Sequence, residues 1–193
     1  MIGAVAQRRE ARVASIIDTA WELAREEGIA GLTLRGLARE LGIRQPSLYA
    51  YFDSKHALYD ALFEDGNRQL LECLDALRLP DDPRRAVKRF MREFTDFALE
   101  HEARRQLLFH RPIPGFVPSP AAYERAEQVL GRAVAVLARA GLDDAGDVDC
   151  FIAMIAGIVD AQASNEPGGT RWTRHLDRLI DLHLDHPRRG HAR

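Results

Sequence analysis

Apolar residues recur at helical spacing along the whole chain, and no stretch alternates apolar with polar residues as a half-buried strand would. Val13, Ile16, Ile17, Ala20 and Ala24 fall on one face of a first helix, which Gly28 ends. Leu34, Leu37, Ala38 and Leu41 form a shorter stripe, with Thr33 placed to cap it and Gly42 to stop it. A third piece runs from about Gln45 to Phe52, and Asp53 or Ser54 opens a long fourth helix carrying Leu58, Leu62, Leu70, Leu74 and Leu77. Leu79 to Pro83 is a break, and Pro83 suits a first helical turn. Val87, Phe90, Met91, Phe94 and Ala98 mark the next helix, and a short one follows over about Glu102 to Phe109. Pro112, Pro114, Pro118 and Pro120 then dictate a loop, because proline lacks a donor and clashes inside a helix. Ser119 caps a helix to about Ala140, stopped by Gly141. Another starts at Asp144 to Asp147 and ends near Ser164. Pro167, Gly168 and Gly169 break the chain before a last helix over about Arg171 to Asp185. The expected fold is all-α, with about nine helices.

Composition narrows the function classes. The chain has 193 residues, 46% hydrophobic and 29% charged, ordinary values for a soluble globular protein. Its longest strongly apolar run, Cys150 to Val159, is about half of the roughly 20 residues a membrane span needs, so no membrane partner is expected. Met1 to Arg12 holds no apolar signal segment. The two cysteines, Cys73 and Cys150, lack metal-ligand spacing, which suits a reduced, cytoplasmic protein. His183 and His186, with His191 nearby, have no carboxylate or thiol cluster to complete a metal set, so neither metal nor cofactor is expected. No phosphate-cradling glycine loop, nucleophile elbow or paired metal motif points to an enzyme. The tail from Pro187 to Arg193 reads as basic and disordered. With a formal net charge of −2, bulk charge does not announce a nucleic-acid partner, so any such function must be carried by position.

Thr33 to Lys55 carries it. Two short helices joined by a tight glycine turn are the minimum of a helix-turn-helix. Ala38 is small enough to let the helices approach, Gly42 can take a left-handed turn without a Cβ penalty, Ile43 plugs the turn, and Leu48 faces back into the core. Gln45, Pro46 and Ser47 then stand at the start of the second helix, the part that enters a major groove. Gln bonds adenine bidentately, Ser serves several bases, and Pro packs against a thymine methyl or a sugar. Arg44 reaches a phosphate or a guanine edge, and Tyr49 and Tyr51 offer hydroxyls to phosphates. Two tyrosines at i and i+2 of a helix cannot both face one way, which leaves core packing open for one of them. Lys55 lies in the first turn of the next helix, where an anion is already favoured.

Gly31-Leu32-Thr33-Leu34-Arg35, Leu37-Ala38, Leu41-Gly42-Ile43, Pro46-Ser47-Leu48-Tyr49, Phe52, Lys55 and Ala57-Leu58 together resemble the N-terminal domain of the TetR/AcrR family of transcriptional regulators. The likeness covers roughly residues 10–63; the rest agrees in helix count and rhythm. It implies a helix-turn-helix domain over 1–55 and a helical ligand-binding and dimerisation domain over 56–193. It implies base contacts from Gln45 and Ser47, base or phosphate contacts from Arg35 and Arg44, and backbone contacts from Thr33, Tyr49, Tyr51 and Lys55. The sequence departs from the family pattern at Arg44, where Ser or Thr often caps the recognition helix, and at Ala50, where a larger residue is common.

The resemblance further implies a pocket for an unknown small-molecule effector behind the reader. Phe90, Phe94, Phe97, Phe109, His110, Phe116 and Tyr123 are candidates to line it, although aromatic residues at helical spacing serve equally as core. The last two helices would pair with those of a second copy as a four-helix bundle, through Ile152, Ile155, Ala156 and Val159 on one and Trp172, Leu176, Leu179, Ile180 and His183 on the other. Ala153, Gly157 and Ala161 add a strip of small residues, and an intramolecular core is the competing use of these positions. The implied function is a homodimeric repressor on a palindromic double-stranded DNA operator, released by its ligand. A regulator of the same build without an effector is the alternative.

Overall fold

The structure, a computed structural model, describes residues 2–110 and 112–185. His186, His191 and the tail from Pro187 to Arg193 lie outside the described residues. The elements in chain order are α1 (Ile2–Glu27), α2 (Leu34–Glu40), α3 (Gln45–Leu48), α4 (Lys55–Asp75), α5 (Pro83–Glu100), α6 (Glu102–Phe109), α7 (Pro120–Arg139), α8 (Ala145–Asn165), a 3-10 turn (Thr173–His175) and α9 (Leu176–Leu184). Among the described residues there is no strand, as the helical spacing requires. No helix among them is long and apolar enough to cross a membrane.

The expected punctuation is in place. Thr33 caps α2 by accepting the Gly36 N–H at 3.0 Å. Ser54 does the same for Ala57 at the head of α4, and Ser119 for Ala122 at the head of α7. Asp144 accepts from Gly146 and Asp147 to start α8. Three elements differ from the periodicity, and one of them, the fourth helix, ends at Asp75 and leaves Leu77 beyond it. The third helix is shorter than expected, because the Tyr51 and Phe52 N–H groups both close on the Leu48 carbonyl and turn Phe52 into the core. The last helix begins as a separate 3-10 turn, because the buried Gln162 accepts the Trp172 and Thr173 N–H groups and pins its start.

The chain forms two compact units. The first, Met1–Gln69 with His101–Glu127, contains α1 to α3, the larger part of α4, α6 and the start of α7. Its core gathers Ile16, Ala20, Leu32, Leu37, Leu48, Leu58, Tyr59 and Leu62. The helix-turn-helix therefore does not close its core by residue 55: the buried side of α4 completes it. Three polar ties hold this unit across long sequence separations. The Tyr59 hydroxyl donates to the Ile29 carbonyl at 3.1 Å, Trp21 Nε1 donates to Asp65 at 2.8 Å, and Asp60 accepts both the N–H and the hydroxyl of Ser119 at 2.6 and 2.7 Å.

The second unit, Leu70–Glu100 with Gln128–Arg193, buries Val87, Phe90 and Met91 of α5, Phe151, Ile155, Ile158 and Val159 of α8, and Leu176 and Ile180 of α9. Along the α5–α9 seam Lys88 and Arg84 bond Asp181 at 2.7 and 2.9 Å, and Arg92 pairs with Asp177. The Lys88 and Arg84 hydrogen bonds hold the Asp181 carboxyl below its usual range.

Candidate nucleic-acid interface

The turn between α2 and α3 sets the site. Gly42 adopts φ 64°, the left-handed region. The Ile43 N–H reaches back to the Ala38 carbonyl at 3.0 Å and the Gly42 N–H to the Arg39 carbonyl at 3.1 Å, the bond pair of a glycine-terminated helix. Ile43 and Leu41 pack against the core, and Leu48 is fully buried behind them. With Leu48 held inward, the opposite side of α3 must face out.

That side presents the expected residues. Arg44, Pro46, Ser47 and Tyr49 are exposed, and Gln45 is half-buried. Pro46 lies in the first turn, where its missing N–H costs no helical bond, and no side chain caps this start: Arg44 stands at the cap position without a capping bond. Thr33 and Arg35 are exposed at the head of α2. The Thr33 oxygen is engaged as the cap, but its O–H remains a donor. Lys55 opens α4 with its ammonium 5.2 Å from the Tyr59 ring centroid, which props the charge at that helix head.

The two tyrosines part company in the turn that follows α3. Tyr49 is 47% exposed, whereas Tyr51 packs on the core with the Arg9 guanidinium 5.9 Å above its ring. Arg9 also donates a long hydrogen bond, 3.4 Å, to the Ala50 carbonyl. Sequence reading passed over Arg9 because 41 positions separate the two partners and no local pattern marks the contact. The Lys55–Tyr59 pair, by contrast, sits at i, i+4 and was open to inspection.

The other candidate residues are scattered. Phe90 and Phe97 are buried and Phe94 half-buried on α5 in the second unit, while Phe109, His110, Phe116 and Tyr123 belong to the first. Phe109 is 40% exposed and His110 is exposed. Phe116 packs beside His56 and Tyr59, and Tyr123, half-exposed, stacks on Phe63. Of the residues expected between copies, Ile155, Val159, Leu176 and Ile180 are buried within the chain itself, so they serve the interior. Ala153, Ala156 and Gly157 are exposed on α8, Ile152 and His183 are half-buried, and Phe151 meets the His183 ring edge-on. Trp172 and Leu179 line an open groove of about 400 Å³ with His175, Arg178 and Leu182. Among the described residues no cluster of three or more His, Cys, Asp or Glu could hold a metal.

His101, in the first unit, is a buried titratable group. Its Nδ1 accepts the Arg104 N–H at 3.3 Å to cap α6, its ring meets Trp21 at 5.6 Å, and its buried Nε2 has no hydrogen-bond partner. Burial, and then the nearby charges of Arg25 and Arg104, push its pKa below the ordinary 6.5. The unfolded chain therefore takes up a proton here that the fold refuses. This contribution to stability is intact well above pH 6.5 and is lost as pH falls through that value. Thermal melting between pH 7.5 and 5 should show a drop that His101→Asn, which keeps a capping acceptor, makes shallower. Equal slopes for both proteins would contradict the assignment.

The compact helical core behind an outward recognition helix defines a helix-turn-helix protein. Residues 16–62 match the family described as bacterial regulatory proteins, tetR family. The class D tetracycline repressor protein of Escherichia coli is 58% identical over 48 residues, 25% of this chain and 22% of the repressor. An HTH-type transcriptional regulator of Mycobacterium tuberculosis is 31% identical over 122 residues, 60% of this chain and 52% of that protein. The chain thus spans about a fifth of the repressor's length and about half of the mycobacterial regulator's. The crystal structure of BioQ with its double-stranded DNA operator has a similar fold, with TM-score 0.63 and 20% identity over 89% of this chain and 96% of that one.

Proposed function

We propose that the chain is a DNA-binding transcriptional regulator that works as a homodimeric repressor on a palindromic operator and is released by a small molecule. The observation that carries the reading is the split personality of α3. Leu48 is fully buried while Pro46, Ser47 and Tyr49 are exposed beside Arg44 and Gln45, within the residues that match the tetR family model. In this reading residues 1–55 carry the DNA-contacting side chains, with the buried side of α4 closing their core, and 56–193 otherwise form the ligand and dimer part. Gln45, Pro46 and Ser47 meet bases, Arg35 and Arg44 meet bases or phosphates, and Thr33, Tyr49 and Lys55 hold the backbone. The exposed side of α8, with Ile152, Ala153, Ala156 and Gly157, and the α9 side with Leu179 and Leu182 supply the contact between copies. Pairing matters because two recognition helices must stand one groove repeat apart, roughly 34 Å, to read a palindrome. A ligand that binds the two spacings unequally shifts the balance off DNA.

The test uses a duplex selected from random-sequence DNA by the full chain, titrated at two salt concentrations. Tyr49→Phe with Lys55→Ala should weaken binding to the selected and to a scrambled duplex alike. The lost lysine contact should lower the salt slope by about one. Unchanged binding in the double variant, or failure of the wild type to enrich any duplex, would overturn the reading.

A further inference from the structure

α1 is longer than its apolar stripe. The stripe begins at Val13, where α1 first packs on the core, yet the helix starts at Ile2. Ala6 to Ala11 are all exposed, so core packing does not account for this stretch. Its arginine at position 9 nevertheless reaches the end of the recognition helix. Arg9 Nη2 donates to the Ala50 carbonyl at 3.4 Å, and the guanidinium lies 5.9 Å above the Tyr51 ring.

The segment it touches is closed by the Tyr51 and Phe52 N–H groups on the Leu48 carbonyl, and Arg9 adds a side-chain contact from α1 to the Ala50 carbonyl between them. Leu48 and Phe52 are buried at either end, and Tyr49, Ala50 and Tyr51 form the turn between them. The last carbonyls of a helix lack intrahelical partners, and a cation suits that end. Tyr49 projects from this same turn, so its direction depends on the backbone that Arg9 holds.

We infer that Arg9 is a positioning residue for DNA reading: it clamps the turn after the recognition helix, through the Ala50 carbonyl and the Tyr51 ring, and so aims Tyr49 at the DNA backbone. The inference rests on the proposed DNA reading. A clamp of this kind needs a planar group that lies on a ring while donating at its edge. Arginine has that geometry and lysine, a compact point charge, does not. The contacts also change the use of Tyr51, whose ring serves as the seat for Arg9.

The full chain and the duplex it selects from random DNA provide the test. Arg9→Gln and Arg9→Lys should each raise Kd about five- to tenfold at low salt, the combined loss of one weak hydrogen bond and one cation–ring contact. The salt slope should stay as in the wild type, because the clamp acts through the tyrosine and releases no counterions itself. Tyr51→Leu should give part of that loss, and adding Arg9→Gln to it should cost less than Arg9→Gln does in the wild type. Arg9 is exposed, so its variants should melt within a degree or two of the wild type and remain interpretable if Tyr51→Leu does not fold.

Wild-type binding by Arg9→Lys, together with a slope lowered by about one in Arg9→Gln, would overturn the clamp and make Arg9 a phosphate contact. Wild-type binding by both would remove any role. Failure of the DNA reading itself has a different signature: no duplex enriched by the wild type, or no effect of Tyr49→Phe with Lys55→Ala.

Discussion

Leu48→Ala should lower stability by about 2–5 kcal/mol and abolish tight DNA binding at temperatures where the variant is still folded. Leu48 has no exposed surface and sits between the turn at Gly42 and the buried Phe52. Its removal leaves a cavity behind a helix of four residues, which has no intrinsic tendency to persist alone. The helix should therefore lose its seat before the rest of the unit melts. Chemical denaturation gives the stability change, and titration of the selected duplex gives the binding loss. Leu48→Met, which nearly conserves volume, should restore most of both. If Leu48→Ala bound DNA as the wild type does, the inward face of α3 would not be what orients its outward one.

Gln45→Ala should change which sequences are bound more than how tightly DNA is held. Gln45 is half-buried in the first turn of α3, the end that would enter the groove under the proposed reading. An amide there pairs with an adenine edge, and its loss removes about 1–3 kcal/mol of discrimination at that base pair. Measured over a panel of duplexes each changed at one position, the preference should flatten at one position per half-site and persist elsewhere. The salt slope should not move, in contrast to the lysine substitution at position 55. A uniform loss across the panel would mean that Gln45 touches the backbone and that the base contacts lie with Ser47 or Arg44.

These outcomes bear on how a near-neutral chain would bind DNA in the proposed way. The formal net charge is −2, and residues 1–55 carry a net charge of +1. Nonspecific affinity should be modest at that balance, so binding leans on base contacts and on the spacing between copies. Arg9 enters this picture as geometry more than charge.

Much of the site was legible before any tertiary structure. Thr33 as a cap, the left-handed turn at Gly42, the buried Leu48 and the helix head at Lys55 all follow from local rules acting over a few residues. The same rules placed most helix ends, because caps and glycine stops are short-range. They were weaker where a distant partner intervenes. The 3-10 start of the last helix depends on Gln162, ten positions before Trp172. The apolar stripe of α8 and α9 carries no mark of which surface it meets, and Ile155, Val159, Leu176 and Ile180 are buried in the chain's own interior. The aromatic residues of α5 and those after α6 looked alike by spacing, yet they fall in different units.

Periodicity and punctuation alone therefore settle that the chain is helical, where its helix-turn-helix lies and which residues head α3. Each of those is decided by steric preference and hydrogen bonding within about one helical turn. The tertiary structure was needed to separate Tyr49 from Tyr51, to bring Arg9 across 41 positions onto Ala50, and to show that α4 closes the reader's core beyond residue 55. Those depend on which surfaces meet when the chain packs, and burial of apolar area is blind to sequence distance.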